Sequence, residues 1–271
     1  MRLAAGVEIT SLGYRTDLMM RRLEGSEIAD FGDHVAVRSP GHPGFWWGNF
    51  VLLPRAPRPR EAAGWLARFA EVLPDVQHVA IGVDAGDRAT AERSGLPEAG
   101  LRLEQSTVLT ATTVHEPPHV NRAVEYRPLA GDADWQQSLN LRLAADDSGG
   151  AATRAFDEQR TADARRVSEH GHGAWFGAFA DGHLAAQLGI FSDGSGVARY
   201  QNVETDPEFR RTGLAGTLVW QAGQWALDRL GAHTLVIVAD PEAGAIRVYR
   251  SVGFRDAETQ IAFQRPPYAV G

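Results

Sequence analysis

The residues best suited to chemistry stand between a predicted strand and a predicted helix. The strand ends near Thr205, and Arg210 and Arg211 then precede a run of small residues that closes at Gly216. From Leu214 onward apolar residues recur at helical spacing, so the small residues form the first turn of a helix. The first N–H groups of a helix lack internal partners and carry partial positive charge, and small residues let an anion approach them. This pattern predicts a phosphate-binding helix start.

Two other kinds of phosphate loop do not fit this stretch. A nucleoside-triphosphate loop requires Gly-x-x-x-x-Gly-Lys followed by Ser or Thr, and all 27 basic residues of the chain are arginines. A dinucleotide fingerprint requires three spaced glycines directly after the strand and an acidic residue about 20 residues later. Taken alone, Arg-x-x-Gly-x-Ala is equally compatible with a glycine turn before a core helix.

Two motifs at matching distance resemble the hallmarks of the GNAT family, the acetyl-CoA-dependent N-acetyltransferases. The first is Arg-x-x-Gly-x-Ala over residues 210–215, and the second is Ala-x-x-x-Tyr-x-x-x-Gly-Phe over residues 245–254. The two in register are much more specific than either alone. The resemblance covers residues 124–265 well and the N-terminal half in outline. It implies an α/β (α+β) fold in which a mixed, mostly antiparallel sheet is flanked by helices.

The resemblance also implies which residues bind acetyl-CoA, the acyl donor. In the family the pantetheine arm runs beside the central strand, which splays from its neighbour, and the N–H of Val203 would contact the acetyl oxygen. The diphosphate would lie on the N–H groups of the helix start. Glu242 departs from the family, which often has asparagine there. The implied contacts are Val203, Thr205, Arg210, Arg211, Thr212, Gly213, Leu214, Ala215, Gly216, Thr217, Glu242 and Tyr249.

The catalytic acid is implied by the same resemblance. Family members let an amine attack the thioester directly, without an acyl-enzyme, which suits a chain without cysteine. Tyr249 matches the family tyrosine that lies near the sulfur and acts as general acid. A half-buried core tyrosine is the alternative interpretation.

The catalytic base is less well defined. Related enzymes often carry it on the central strand, at positions that here hold no base near neutral pH, namely Val197, Arg199 and Gln201. Glu204 is the closest carboxylate and our second catalytic candidate, although strand alternation places residues 202 and 204 on one face and 201, 203 and 205 on the other. A water chain remains open, as do three histidines that are better explained as surface residues, His170, His172 and His183.

The two halves of the chain share a predicted order of elements, strand–helix–strand–helix–strand. A shift of 153 residues aligns Asn49 with Asn202 and Gly100 with Gly253. These sparse but collinear matches indicate an internal duplication. Where the second half has its small residues, the first has Ala-Pro-Arg-Pro-Arg-Glu-Ala, and proline removes an N–H donor. The first copy should not bind a diphosphate.

We therefore predict two GNAT-like domains. Residues 1–120 form a degenerate copy without a cofactor loop, and residues 121–271 form the acetyl-CoA-binding domain, with a linker at 115–122. This organisation is similar to that of mycothiol synthase-type proteins. Hydrophobic patterns further predict a strand over 45–53 and a helix over 59–73. A flexible loop is expected at 146–150 and a hairpin turn at Asp181–Gly182.

Composition narrows the chemistry further. The absence of cysteine excludes disulfides, thiolate metal sites and thiol catalysis. We expect no metal site, since His170 and His172 are the closest pair of ligand type. A net charge of −7 argues against a nucleic-acid partner and mildly favours a cationic ligand. Without a leader or a long apolar run, we expect a cytoplasmic protein with no membrane partner. A homodimer is possible.

The predicted function is acetyl-CoA-dependent N-acetyl transfer to a primary amine of a small molecule or peptide. The alternative is an acyl-CoA-binding GNAT-fold sensor or regulatory protein without turnover. A third hypothesis, compatible with both, is that the N-terminal half shapes the acceptor groove.

Overall fold

The computed structural model describes residues 6–145 and 151–267. The loop predicted at 146–150 lies outside these residues. The chain divides into two compact units: the first runs to Val108 and resumes at Glu258, and the second runs from Leu109 to Ala257. The predicted division at residue 120 follows chain order. In the structure, by contrast, most of the last strand belongs to the first unit.

Strands and helices are interspersed along the chain. In chain order, the strands are β1 (Glu27–Asp30), β2 (Val35–Arg38), β3 (Phe50–Arg55), β4 (Val79–Ala85), β5 (Arg102–Ala111), β6 (Glu125–Pro128), β7 (Gly173–Ala180), β8 (His183–Phe191), β9 (Val197–Thr205), β10 (Thr234–Ala239) and β11 (Arg255–Arg265). The helices are α1 (Leu12–Leu23), α2 (Ala62–Val72), α3 (Arg88–Glu92), α4 (Gly131–Ala145), α5 (Ala151–Glu169), α6 (Leu214–Arg229) and α7 (Ala245–Ser251). Single 3₁₀ turns occupy Trp46–Gly48, Pro59–Glu61 and Pro207–Phe209.

The first unit is built on strands in the order β1, β2, β3, β4, β11, β5. Strands β3 and β4 are parallel, whereas β1–β2, β2–β3 and β4–β11 are antiparallel. The strand predicted over 45–53 begins only at Phe50. The Asn49 side chain donates to the carbonyls of His42 and Phe45 at 2.7 and 2.9 Å, which holds the preceding residues in a turn. The helix predicted over 59–73 is confirmed as a 3₁₀ turn followed by α2.

The second unit is built on strands in the order β10, β9, β8, β7, β6. Strand β10 is parallel to β9, and the remaining pairs are antiparallel. Helix α6 packs on one face: Leu188 of β8 belongs to the apolar cluster that includes Leu218 and Ala222 of α6. The opposite face meets α4, since Gln187 is hydrogen-bonded to Ser138. Both units are therefore mixed, mostly antiparallel sheets flanked by helices.

The predicted hairpin turn is confirmed between β7 and β8. Asp181 and Gly182 have φ angles of 48° and 83°. Both central residues of a type I′ turn require positive φ, which glycine adopts readily and aspartate better than most residues. Within the described residues, no helix combines the length and the apolar character that a bilayer crossing needs.

Candidate active site

Strands β9 and β10 separate along their length. They pair in parallel over residues 197–199 and 234–236, yet β9 continues to Thr205 and β10 to Ala239. The backbone groups on the facing edges beyond these pairs need another partner, because buried N–H and C=O groups are almost always hydrogen-bonded. An extended ligand can supply those bonds as an added strand.

Helix α6 begins next to this opening without a side-chain cap. Its N-cap residue Gly213 has a φ of 84°, in the left-handed region that favours glycine, and makes no side-chain cap hydrogen bond. The first bond from the helix back to the cap runs from Thr217 N–H to the Gly213 carbonyl, at 3.1 Å. The N–H groups of Leu214, Ala215 and Gly216 come before it and point out of the helix start. Their donors and partial positive charge suit an anion.

The segment 115–122, predicted as a linker, packs against one side of this helix start. The Asn121 N–H donates to the Thr217 hydroxyl at 3.0 Å. A Cβ added at Gly213 would lie 2.5 Å from the His119 carbonyl oxygen. This segment therefore fixes the position of the helix start, and the other side of the start faces a cavity.

The cavity has a volume of about 960 Å³ and is bounded by the splayed strand, the start of α6 and the helix α7. Most residues predicted to bind the cofactor line it, namely Val203, Thr205, Arg210, Arg211, Gly213, Leu214, Ala215, Gly216 and Tyr249. Thr212, Thr217 and Glu242 do not. Thr217 is fully buried under the helix start, and the Glu242 N–H instead closes a local turn by donating to Asp240 at 2.8 Å.

Arginines dominate the charge around the cavity. Arg210 and Arg211 were predicted, and Arg247 in the first turn of α7 also lines the cavity. All three side chains are exposed, and in the part of the chain that the structure describes none is ion-paired with a carboxylate. The sequence signal for Arg247 was its position two residues before Tyr249. Pro117, Pro118 and His119 line the cavity too, and their proline pair had indicated only a linker.

Tyr249 forms part of the wall of the same cavity. It is a buried residue of α7 in the apolar cluster beneath α6. Within the described residues its hydroxyl has no hydrogen-bond partner, and burial raises the pKa of Tyr249 to about 12. The phenol is therefore neutral at physiological pH and keeps a proton to donate.

A β-bulge changes the orientation of the second catalytic candidate. On β8 one residue separates Gly189 from Gln187, but on β9 two residues separate their partners, Gln201 and Glu204. Asn202 has a φ of 42°, as expected at a bulge. An extra residue reverses the alternation beyond it, so Gln201 and Glu204 share a face. The prediction that they lie on opposite faces is therefore wrong.

Glu204 is half-buried and lines the cavity. Burial is the main effect on its ionisation and raises the pKa of Glu204, with a further raising effect from Asp157. Arg142 and a hydrogen bond from Gln187 act in the opposite direction. A carboxylate with a raised pKa is a stronger base than an exposed one, and a base works best when its pKa approaches the working pH.

The other candidates for the base lie elsewhere. His170, His172 and His183 are exposed and do not line the cavity. His183 Nε2 lies 3.2 Å from Asp206 Oδ2, and His170 Nδ1 lies 2.7 Å from the Arg166 carbonyl. Among the described residues, no three ligand-type side chains come together as a metal site.

Comparison with known families gives a match that includes the splayed strand β9 and the helices α6 and α7. Residues 140–254 match the acetyltransferase (GNAT) family. A comparison with curated proteins gives no match.

Solved structures share the fold over nearly the whole chain. A functionally unknown conserved protein from Staphylococcus epidermidis has a TM-score of 0.72 at 11% identity, covering 89% of this chain and 94% of its own. A GCN5-related N-acetyltransferase from Kribbella flavida has a TM-score of 0.63 at 18% identity, covering 98% of both chains. A tandem GNAT protein from the clavulanic acid biosynthesis pathway has a TM-score of 0.58 at 14% identity, covering 97% and 90%. The predicted GNAT-like fold is confirmed, and its tandem organisation is consistent with the third structure.

Proposed function

We propose that the protein transfers the acetyl group of acetyl-CoA directly to a primary amine, because residues 140–254 match the acetyltransferase (GNAT) family. One observation carries the proposal. An uncapped helix start, a splayed strand edge and a neutral tyrosine border one cavity whose basic side chains are arginines. This combination suits a ligand that has phosphates at one end and an extended amide chain leading to a thioester.

The proposed binding mode uses backbone more than side chains. The N–H groups of Leu214, Ala215 and Gly216 bind the diphosphate, and the nearby arginines add charge. The pantetheine amides pair with the free edge of β9 at Val203 and Thr205. The Val203 N–H donates to the thioester carbonyl and stabilises the negative charge that develops on its oxygen.

The proposed chemistry is a single transfer with three proton movements. Bound acetyl-CoA supplies an activated acetyl group. Glu204 accepts a proton from the acceptor ammonium, and the free amine nitrogen attacks the carbonyl carbon. The C–N bond forms, the C–S bond breaks, and Tyr249 donates its proton to the departing thiolate. The acylated nitrogen then loses its second proton to the Tyr249 phenolate, which restores the phenol and leaves a neutral amide. No residue of the chain becomes acylated, as befits a chain without cysteine.

The acceptor is proposed from charge alone. An ammonium approaching Glu204 meets a chain with a net charge of −7, so a small-molecule amine or a peptide amine is favoured over an acidic substrate. A cytoplasmic location and a homodimer stay predictions.

The test joins acetyl-CoA binding with thiol release. Calorimetry should give one site per chain, and a thiol-reactive dye should report CoA release that requires an amine. The absence of cysteine means that the protein adds no thiol background. Failure to bind acetyl-CoA would refute the proposal. Binding without release, across a panel of small amines and peptides, would favour the sensor.

A further inference from the structure

A fully buried amide lies directly behind Glu204. Gln187 of β8 has no exposed surface. Its Oε1 accepts from the Ser138 hydroxyl at 2.6 Å and from Trp175 Nε1 at 3.0 Å. Its Nε2 donates to the Ser138 carbonyl at 3.2 Å and to Glu204 Oε2 at 2.6 Å. Every donor and acceptor of the amide is therefore used.

The orientation of this amide is fixed by its neighbours. An indole N–H can only donate, so the atom facing Trp175 must be the amide oxygen. An ionised carboxylate can only accept, so the atom facing Glu204 must be the amide nitrogen. A flipped amide would break both contacts and leave buried polar groups unpaired, which is costly.

We propose that Gln187 is a positioning residue, held by Ser138 and Trp175, that fixes the orientation of the Glu204 carboxylate and stabilises its ionised form. The inference rests on the proposed function, in which Glu204 is the base. A carboxylate on a bulged strand edge has rotational freedom that a single short hydrogen bond from a rigid donor removes.

The groups around Glu204 have opposing effects on its pKa. Burial raises the pKa of Glu204, and Asp157 of α5 adds to that effect. Arg142 of α4, the Gln187 amide and the Asn202 side chain on β9 lower it. Within this set Gln187 is fully buried, and its Nε2 lies 2.6 Å from Glu204 Oε2. It also joins Glu204 to α4, because both bonds to Ser138 reach that helix.

The experiment measures the ionisation of Glu204 directly. Full-length protein carrying ¹³C-labelled glutamate is titrated by NMR, and the Glu204 signal is identified by its absence from Glu204→Gln. In Gln187→Leu the carboxylate loses a hydrogen bond to its ionised form, and its pKa should rise by about one unit. Ser138→Ala should give a smaller rise, because the amide keeps its bonds to Trp175 and Glu204. An unchanged pKa in Gln187→Leu would overturn the proposal.

A matched glutamine provides the control. Gln137, next to Ser138 on α4, also ties α4 to β8, through a 2.9 Å bond from Leu184 N–H and a 3.2 Å bond to the Gly182 carbonyl. It has no bond to Glu204, so Gln137→Leu should leave the Glu204 signal in place. An equal shift in both variants would make the effect a general loosening of α4 and would overturn the assignment. If Gln187→Leu does not fold, Gln187→Glu preserves its size and should raise the Glu204 pKa by like-charge repulsion.

Enzyme kinetics then separate the two hypotheses. In an active protein, the acid limb of kcat/KM should move to higher pH in Gln187→Leu by the shift that NMR records. If Gln187→Leu shifts the NMR titration of Glu204 but the wild-type protein transfers no acetyl group, the proposed function is refuted and the positioning of Glu204 by Gln187 still holds. An unmoved titration in an active enzyme would refute the positioning alone.

Discussion

Each unit of this protein contains a parallel strand pair whose two strands are connected through a helix, and the two pairs differ in how far they stay together. In the first unit β3 and β4 pair from Val51 and Ile81 to Arg55 and Ala85, the last residues of both strands. In the second unit the pairing of β9 and β10 stops at residues 199 and 236. A closed pair has satisfied its own backbone groups, whereas a splayed pair leaves an edge for a ligand.

The residues at the start of the two connecting helices, α2 and α6, differ as well. In the first unit Glu61 accepts from the Arg58 N–H at 2.9 Å just before α2, as part of a capping box. Hydrogen bonds from the Arg58 side chain hold the pKa of Glu61 at about 2, so the chain supplies its own anion there. That capping box belongs to the 3₁₀ turn before α2, and neither α2 nor α6 has a side-chain cap bond at its own N-cap residue. The first unit thus has a carboxylate just before its helix, whereas the start of α6 follows Gly213 and lines the cavity.

The hydrogen-bonded turn at residues 249–254 has a counterpart at residues 96–101, but the first residue of the turn differs between the two units. The Phe254 N–H donates to the Tyr249 carbonyl at 3.2 Å, and 153 residues earlier the Leu101 N–H donates to the Leu96 carbonyl at 3.1 Å. A glycine with positive φ precedes the donor in each case. The first unit therefore has fully buried Leu96 in place of the tyrosine. Packing at this turn tolerates either residue, and only the second unit keeps a proton donor.

The largest expected effect comes from adding a negative charge at the second residue of α6. The same change at the second residue of α2 is its control. Ala215→Asp places a carboxylate on the cavity wall at the α6 start, where it should repel a diphosphate while interacting favourably with the helix dipole. We expect acetyl-CoA affinity to fall by at least about 100-fold, the effect of roughly 3 kcal/mol. Calorimetry measures the affinity, and thermal melting checks the fold.

Ala63→Asp is the matched control, because Ala63 is exposed at the same position of α2. It should leave affinity and stoichiometry unchanged. A loss of binding in Ala63→Asp would mean that the first unit takes part in cofactor binding, and the contrast between the two units would fail.

The second test removes the hydroxyl that the first unit lacks. Tyr249→Phe should lower kcat by about 100-fold, the lower end of what a positioned proton donor contributes. Acetyl-CoA affinity should stay the same because the ring remains. Tyr200→Phe is the control, since this buried tyrosine of the same unit donates to the Val219 carbonyl at 2.7 Å, in the core. It should cost about 1 kcal/mol of stability and no turnover. Unchanged kcat in Tyr249→Phe would exclude the acid role.

A smaller effect is expected at Arg247. Its exposed guanidinium has no carboxylate partner in the described part of the chain and lines the cavity, so Arg247→Gln should weaken acetyl-CoA binding by about fivefold, in line with a solvent-screened charge. The loss should shrink as salt is raised. Arg250, on the same helix, is ion-paired with Asp256 at 2.6 Å and does not line the cavity. Arg250→Gln should leave the acetyl-CoA affinity unchanged. An equal loss of affinity in the two variants would indicate a nonspecific electrostatic effect of positive charge.

The sequence predicted most of the helix start and little of its surroundings. Arg210, Gly213 and Ala215 could be found because their types follow directly from the backbone geometry of an anion site. The position of Glu204 could not, since a bulge at Asn202 adds a residue without any change in residue pattern. Segment 115–122 looked like a linker because proline suits both a linker and a rigid wall. Its contact with Gly213 is nonlocal.

The smallest expected effect concerns the stability cost of the partly buried carboxylate of Glu204 in the second unit. Burial raises the folded-state pKa of Glu204 above its ordinary value of 4.5, so the folded protein favours the protonated carboxyl. Glu204 therefore adds stability at pH values below 4.5, and that stability is lost as pH rises through the raised pKa. The first unit has the opposite case: burial lowers the pKa of His78 from 6.5, and the stability that its neutral ring provides is lost as pH falls.

Glu204→Gln should therefore raise the melting temperature at pH 8, because the amide keeps the size of the side chain and can still accept from Gln187. The gain should diminish steadily as the pH is lowered through the raised pKa of Glu204, where the wild-type carboxyl takes up its proton. Calorimetric melting at a series of pH values gives the difference, and Glu242→Gln, at an exposed position outside the cavity, should show none. A variant less stable than wild type at pH 8 would mean that the ionised carboxylate stabilises the second unit. The carboxylate would then contribute to the structure of that unit.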